Sequence, residues 1–91
     1  MSRKIELVAE EIDNRRRMHA FFSEKITVPE YFGANLDALN DVLSEYDEDV
    51  TFVLTRENTR RISREEYAWK VVMIIARCSQ ENPHIQIQFE E

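Results

Sequence analysis

A chain of 91 residues with a formal net charge of −6 is long enough for one small domain, and it lacks the basic surface that nucleic-acid binding requires. Hydrophobic residues make up 43% of the sequence and charged residues 33%, which is a globular composition and excludes wholesale disorder. The sequence has no apolar run long enough to cross a membrane and only one cysteine, so we expect a single cytoplasmic domain over residues 1–91, without disulfide, metal or cofactor.

The N-terminal third of the chain predicts a strand followed by a helix and a loop. Residues 4–8 alternate polar and apolar side chains, which is typical of a strand with one buried face. Asp13 or Asn14 can cap a helix that runs to about Lys25. Residues 27–34 contain a proline and the only glycine of the chain, and they are predicted to form a loop.

The middle of the chain predicts a second helix and a second strand. Asn35 is a good N-cap for a helix over about residues 36–46, with an apolar stripe made mainly of leucines. Residues 50–55 are rich in β-branched and aromatic side chains and predict a strand.

The last third of the chain predicts a long helix and a closing strand. After a short helical turn near residues 57–61, residues 63–66 read Ser-Arg-Glu-Glu and form a capping-box pattern for a helix to about Gln80. Residues 84–89 alternate apolar and polar side chains after a proline. Strands separated by helices, without a hairpin signal, predict a two-layer α/β fold with a small parallel sheet.

The most distinctive chemical feature is an acidic segment over residues 30–49. It contains seven carboxylates and no lysine or arginine: Glu30, Asp37, Asp41, Glu45, Asp47, Glu48 and Asp49. Asp37, Asp41 and Glu45 are spaced to lie on one ridge of the second helix, where like charges repel each other. This ridge is either an ordinary solvated surface or a surface that recognises cations. The segment lacks the glycine turn and the ligand spacing of a calcium loop.

Other candidate residues have structural interpretations. Gly33 indicates either a positive φ angle or a place where a partner approaches the backbone. Of the neighbouring pair Tyr31 and Phe32, one ring is expected in the core and the other is expected to be half-buried, although a loop tyrosine beside acidic residues is also typical of a contact. His19 is predicted to be a surface or half-buried residue, and Cys78 a core residue.

Residues 28–43 closely resemble the central sequence of the barstar family, whose members are inhibitors of barnase-type ribonucleases. The shared pattern is Pro-Glu-Tyr-aromatic-Gly-x-Asn-Leu-Asp-Ala-Leu-x-Asp, and the order of strands and helices agrees over nearly the whole chain. The resemblance implies a barstar-like fold with a three-stranded parallel sheet and a function as a non-enzymatic immunity protein or antitoxin. It also implies a basic ribonuclease as the partner and a monomer when free.

The resemblance further implies how such a protein acts. The acidic helix and the loop before it enter the active site of the ribonuclease, where their carboxylates replace RNA phosphates. Asp41 would enter the catalytic pocket and Asp37 would meet cations at its rim. The partner-binding residues implied in this way are Tyr31, Gly33, Asn35, Asp37, Asn40, Asp41, Ser44, Glu45, Ile74, Arg77 and Glu81.

Two positions depart from the family pattern. The family commonly has tryptophan immediately before the second aspartate of the pattern, where this chain has Asn40, and Arg77 stands where an acidic contact is expected. We therefore expect the chain to inhibit its cognate ribonuclease better than barnase. An alternative function is that of an acidic interaction module whose basic partner is not a nuclease. The sequence shows no nucleophile or metal-ligand set that would support an enzyme.

Overall fold

Three parallel strands form one sheet in the order β1-β2-β3. The computed structural model describes residues 3–91, so the first two residues of the expected domain lie outside the described part. The strands are β1 (Arg3–Glu6), β2 (Val50–Thr55) and β3 (Ile85–Glu90). The prediction of an α/β fold with a three-stranded parallel sheet is confirmed. β1 ends earlier than predicted, and its continuation turns into a single 3-10 turn, Ala9–Glu11.

Four helices occupy the connections between the strands. They are α1 (Arg15–Lys25), α2 (Leu36–Ser44), α3 (Arg56–Ile62) and α4 (Glu66–Glu81). Parallel neighbours in a sheet need crossover connections, and here each crossover carries two helices.

Asparagine side chains cap the first two helices. Asn14 accepts a hydrogen bond from the Arg17 amide at 2.9 Å, so it is the cap of α1 rather than Asp13. Asn35 accepts one from the Ala38 amide at 2.7 Å and caps α2, as the sequence predicts. These bonds satisfy amide groups that have no partner inside the helix.

The predicted capping box at residues 63–66 is wrong. Ser63 instead closes α3, and its hydroxyl donates to the Arg60 carbonyl at 2.7 Å. The side chain of Thr55 caps the start of α3, which therefore becomes a helix of seven residues that extends to Ile62. α4 consequently begins at Glu66, after Glu65, which makes no side-chain capping bond.

The core lies between the helices and one face of the sheet. Phe22 of α1 packs against Phe52 of β2, with ring centroids 5.9 Å apart. On the other face, the central side chains Thr51 and Val53 are also buried. Their neighbours on the two outer strands are polar, namely Lys4, Glu6, Gln86 and Gln88. The second face of the sheet is therefore polar on the two outer strands and buried along the central strand.

Candidate protein-binding site

Burial of its leucines fixes which side of α2 faces solvent. Leu39 and Leu43 are completely buried, and α2 packs against α4 along this side. Asp37 and Asp41 are exposed and lie one turn apart. Burying the two leucines therefore requires that the two aspartates point away from the core.

The predicted ridge of three helical carboxylates is only partly present. α2 ends at Ser44, and Glu45 is its C-cap with φ −107° and ψ 4°. Glu45 is exposed, but it lies beyond the last helical turn, so only Asp37 and Asp41 form an i,i+4 pair within the helix. Within the described chain, no lysine or arginine side chain forms an ion pair with any of these three carboxylates. None of the three carboxylates is therefore held in an ion pair within residues 3–91.

Two side chains of α1 hold the loop that precedes α2. His19 Nε2 lies 2.8 Å from the Phe32 carbonyl oxygen, and the imidazole stacks on the Phe32 ring with centroids 4.9 Å apart. Because a carbonyl only accepts, Nε2 is the protonated nitrogen. Arg15 Nε donates to the Ala34 carbonyl at 3.0 Å. The prediction that His19 is half-buried is confirmed, but its hydrogen bond to the loop, and that of Arg15, were not anticipated from the sequence.

Gly33 lies between these two fixed carbonyls. No residue from 3 to 91 has a positive φ angle, so the interpretation of Gly33 as a left-handed turn residue is wrong. A Cβ atom at this position would lie 3.3 Å from Asn35 Nδ2 and 3.4 Å from Ala38 Cβ. The glycine therefore lets the loop pass close to the capping side chain at the start of α2.

Tyr31 is the most exposed large apolar side chain among residues 3–91, with 89% of its surface accessible. Its neighbour Phe32 is buried, which confirms the prediction of one core ring, but the expectation that the other ring is half-buried is wrong because Tyr31 is almost fully exposed. An aromatic ring that is held out to solvent next to a fixed loop has the character of a binding contact.

The two residues that depart from the family pattern contact each other. The Arg77 guanidinium donates to Asn40 Oδ1 at 2.7 Å, which joins α4 to α2. Cys78 Sγ lies 3.6 Å from the same oxygen. Burial raises the pKa of the Cys78 thiol, while the nearby Arg77 charge lowers it to a smaller extent. Cys78 is a core residue, as predicted.

The other candidate residues, on α4 and at the end of α2, differ in how exposed they are. Ile74 is half-buried and packs against the core, whereas Glu81 is exposed at the end of α4. Ser44 is exposed at the end of α2 and donates to the Asp41 carbonyl at 3.1 Å. Asn40 and Arg77 are thus the predicted residues that the α2–α4 packing brings into direct contact.

Asn82 is a structural residue that no sequence pattern indicated. It is buried, and its Nδ2 donates to the Leu43 and Tyr46 carbonyls, both at 2.9 Å. Its Oδ1 accepts from the His84 amide at 3.0 Å. One amide side chain therefore ties the C-terminal end of α2 to the start of β3. The signal available in the sequence was only a polar residue between a helix and a proline.

We expect the α1 contacts to stabilise the loop measurably. His19→Ala removes the partner of the Phe32 carbonyl and the stacked ring, and should lower the free energy of unfolding by about 1–2 kcal/mol. Urea denaturation measures this loss. Ser23→Ala, an exposed change on the same helix, is the control and should cost less than about 0.5 kcal/mol. Equal stabilities of the two variants would contradict the assigned role of His19.

A three-ligand metal site and a membrane-spanning helix each require features that residues 3–91 do not show. Residues 3–91 contain no cluster of three histidine, cysteine, aspartate or glutamate side chains that could hold a metal ion. None of the described helices has both the length and the apolar character needed to cross a bilayer.

The chain is thus a small α/β protein whose second helix presents two exposed carboxylates, Asp37 and Asp41, that form no ion pair within residues 3–91. A family model described as Barstar (barnase inhibitor) matches residues 2–90, which is nearly the whole sequence. The chain belongs to the barstar family, whose members are inhibitors of barnase-type ribonucleases rather than enzymes. No curated protein sequence matches the chain.

Proposed function

We propose that this protein inhibits a basic, barnase-type ribonuclease by covering its active site with α2 and the loop before it, as an immunity protein or antitoxin would. The observation that carries this proposal is the pair of exposed carboxylates on α2, Asp37 and Asp41, without a cationic partner in the described chain. Like charges one turn apart destabilise a helix by about 0.2–0.5 kcal/mol. A function in binding a cationic partner accounts for the presence of this mutually repulsive pair on α2.

Each carboxylate has a distinct part in this proposal. Asp41, in the interior of α2, enters the basic catalytic pocket in the place of an RNA phosphate. Asp37, in the first turn, meets cationic groups at the rim of the pocket. Since the buried leucines fix the rotation of α2 and Asn35 fixes its start, the side of the helix that bears both residues faces solvent before binding.

The loop supplies the neutral part of the proposed interface. Tyr31 packs on the surface of the ribonuclease, and Gly33 and Asn35 allow close contact with the backbone. The hydrogen bonds from His19 and Arg15 hold this loop in place, which reduces the entropy lost on binding. Ser44, Glu45, Ile74 and Glu81 are proposed to complete the outer contacts.

A direct activity assay tests the proposal. Purified protein is titrated into a fixed concentration of barnase and of other barnase-type ribonucleases, with hydrolysis of a fluorogenic oligonucleotide as the readout. Inhibition of at least one of these enzymes at a molar ratio of one to one is expected. If none is inhibited, while a pull-down from lysate recovers a basic protein that is not a nuclease, the alternative function is favoured instead.

The association rate should depend strongly on salt. The acidic segment over residues 30–49 creates a field that attracts a basic partner over distances near the Debye length, a steering effect for which barnase and its inhibitor are themselves a standard example. The rate constant should fall about tenfold or more between about 10 mM and 0.5 M salt. Stopped-flow measurements at rising ionic strength test this expectation, and a rate indifferent to salt would contradict it.

A further inference from the structure

Arg77 places a positive charge beside an otherwise acidic surface. Its guanidinium lies against α2 because it donates to Asn40 Oδ1 at 2.7 Å. Asn40 directly precedes Asp41 in the sequence and follows Asp37 by three residues, so the cation is bonded to a residue of α2 that is a near neighbour of both carboxylates proposed to meet the ribonuclease.

The charge of Arg77 is held in place but not neutralised. Its partner Asn40 is a neutral amide, and among residues 3–91 no carboxylate forms an ion pair with Arg77, including Glu81 at the i+4 position of the same helix. An arginine has five N–H donors in a planar fork. The single bond to Asn40 leaves donors of the Arg77 fork for a further acceptor.

The acceptor of the Arg77 hydrogen bond is a neutral amide, so the contact between α4 and α2 is not an ion pair. A carboxylate in place of Asn40 would cancel the charge of Arg77, whereas the neutral amide accepts a hydrogen bond from the charged guanidinium and leaves its net charge unchanged. The amide orients the guanidinium and leaves its charge available. Orientation before binding also reduces the rotamer entropy that a long side chain loses in an interface.

We propose that the Arg77–Asn40 pair is a specificity determinant that selects, among basic ribonucleases, those that present a carboxylate opposite it. This inference rests on the proposed inhibitor function. A planar guanidinium matches a carboxylate with two parallel hydrogen bonds, and a lysine or arginine at that place in the ribonuclease would be repelled. The protein thus attracts basic enzymes through its acidic segment and rejects those that are uniformly basic around the active site.

A charge-reversal scan with barnase as the probe tests this inference. Each exposed lysine and arginine around the active site of barnase is replaced by glutamate, one at a time, and the affinity of each variant is measured by titration calorimetry or surface plasmon resonance. The binding partners are the natural chain, Arg77→Glu and Asn40→Ala. Arg60→Glu, an exposed change on α3 with the same effect on net charge, is the matched control.

The expected result is a coupling between Arg77 and one position of barnase. At that position, the glutamate variant should bind the natural chain about tenfold more tightly than unmodified barnase does, and Arg77→Glu should reverse this preference. Asn40→Ala should reduce the gain, since the guanidinium is no longer oriented. Arg60→Glu should behave as the natural chain does. Thermal melts confirm that each variant is folded.

Two outcomes would overturn the inference, and they are distinguishable. If the natural chain binds barnase but Arg77→Glu shows the same pattern as Arg60→Glu at every scanned position, the specificity role is refuted and the inhibitor function stands. If neither the natural chain nor any variant binds any form of barnase or another barnase-type ribonuclease, the inhibitor function is refuted, and the inference with it.

Discussion

Asp41→Ala should weaken inhibition of the target ribonuclease by about two to four orders of magnitude, whereas Glu48→Ala should change it less than about fivefold. Asp41 projects from the middle of α2 toward the proposed catalytic pocket, where removal of one member of a desolvated charge pair costs about 3–5 kcal/mol. Glu48 is exposed in the connection between α2 and β2, and an exposed ion pair contributes under about 1 kcal/mol.

Neither variant should destabilise the free protein, because both side chains are exposed and form no ion pair within residues 3–91. Asp41→Ala removes the repulsion from Asp37 one turn earlier and introduces a better helix former. The free protein should therefore be as stable as the natural chain or slightly more stable. Inhibition constants and thermal melts of both variants measure these effects. Equal losses of inhibition would mean that the acidic segment acts as a diffuse field without a dominant carboxylate.

Asn82→Ala should lower the free energy of unfolding by about 3 kcal/mol. The change removes the donor shared by the Leu43 and Tyr46 carbonyls and the acceptor of the His84 amide, and each buried group left without a partner costs about 1–3 kcal/mol. For a domain of this size the melting temperature should fall by about 12–24 °C. A loss of about 3 kcal/mol is a large part of the free energy of unfolding, which is expected to be roughly 5–14 kcal/mol for 91 residues.

Two further variants make the Asn82 experiment specific. Gln80→Ala removes an exposed amide two residues earlier and should change stability by less than about 0.5 kcal/mol. Asn82→Asp retains an acceptor for the His84 amide but places a carboxylate against two carbonyls, so it should be at least as destabilising as Asn82→Ala at neutral pH. If urea denaturation gives Asn82→Ala the same free energy of unfolding as Gln80→Ala, the three hydrogen bonds of the Asn82 side chain contribute little to stability.

Local patterns predicted the elements that local interactions determine. The start of α2 depends on Asn35, three residues before the amide that it caps, and was predicted correctly. The start of α4 was predicted wrongly, because Ser63 could serve either as an N-cap of α4 or as a C-cap of α3. In the structure α3 extends to Ile62, and Ser63 is its C-cap. Which role a serine takes depends on where the preceding helix ends, and this is settled by the packing of Ile62 into the core.

The contacts that orient the candidate site are long-range, and the sequence gives no periodic signal for them. His19 contacts the carbonyl of Phe32, and Arg77 contacts Asn40 on another helix, 37 residues away in the sequence. The resemblance to the barstar family identified both members of the second pair as departures from the pattern. Only the packing of α2 against α4 shows that the two departures form one hydrogen-bonded unit.

The most direct test of the central claim is whether the protein competes with RNA for the active site of a ribonuclease. Hydrolysis rates are measured with barnase, or with whichever barnase-type ribonuclease is inhibited most strongly, at several concentrations of a short RNA substrate and of this protein. If α2 occupies the catalytic pocket, the apparent inhibition constant should rise linearly with the substrate concentration, with the maximal rate unchanged. Inhibition that is independent of the substrate concentration, or no inhibition at all, would contradict active-site blockade by the acidic helix.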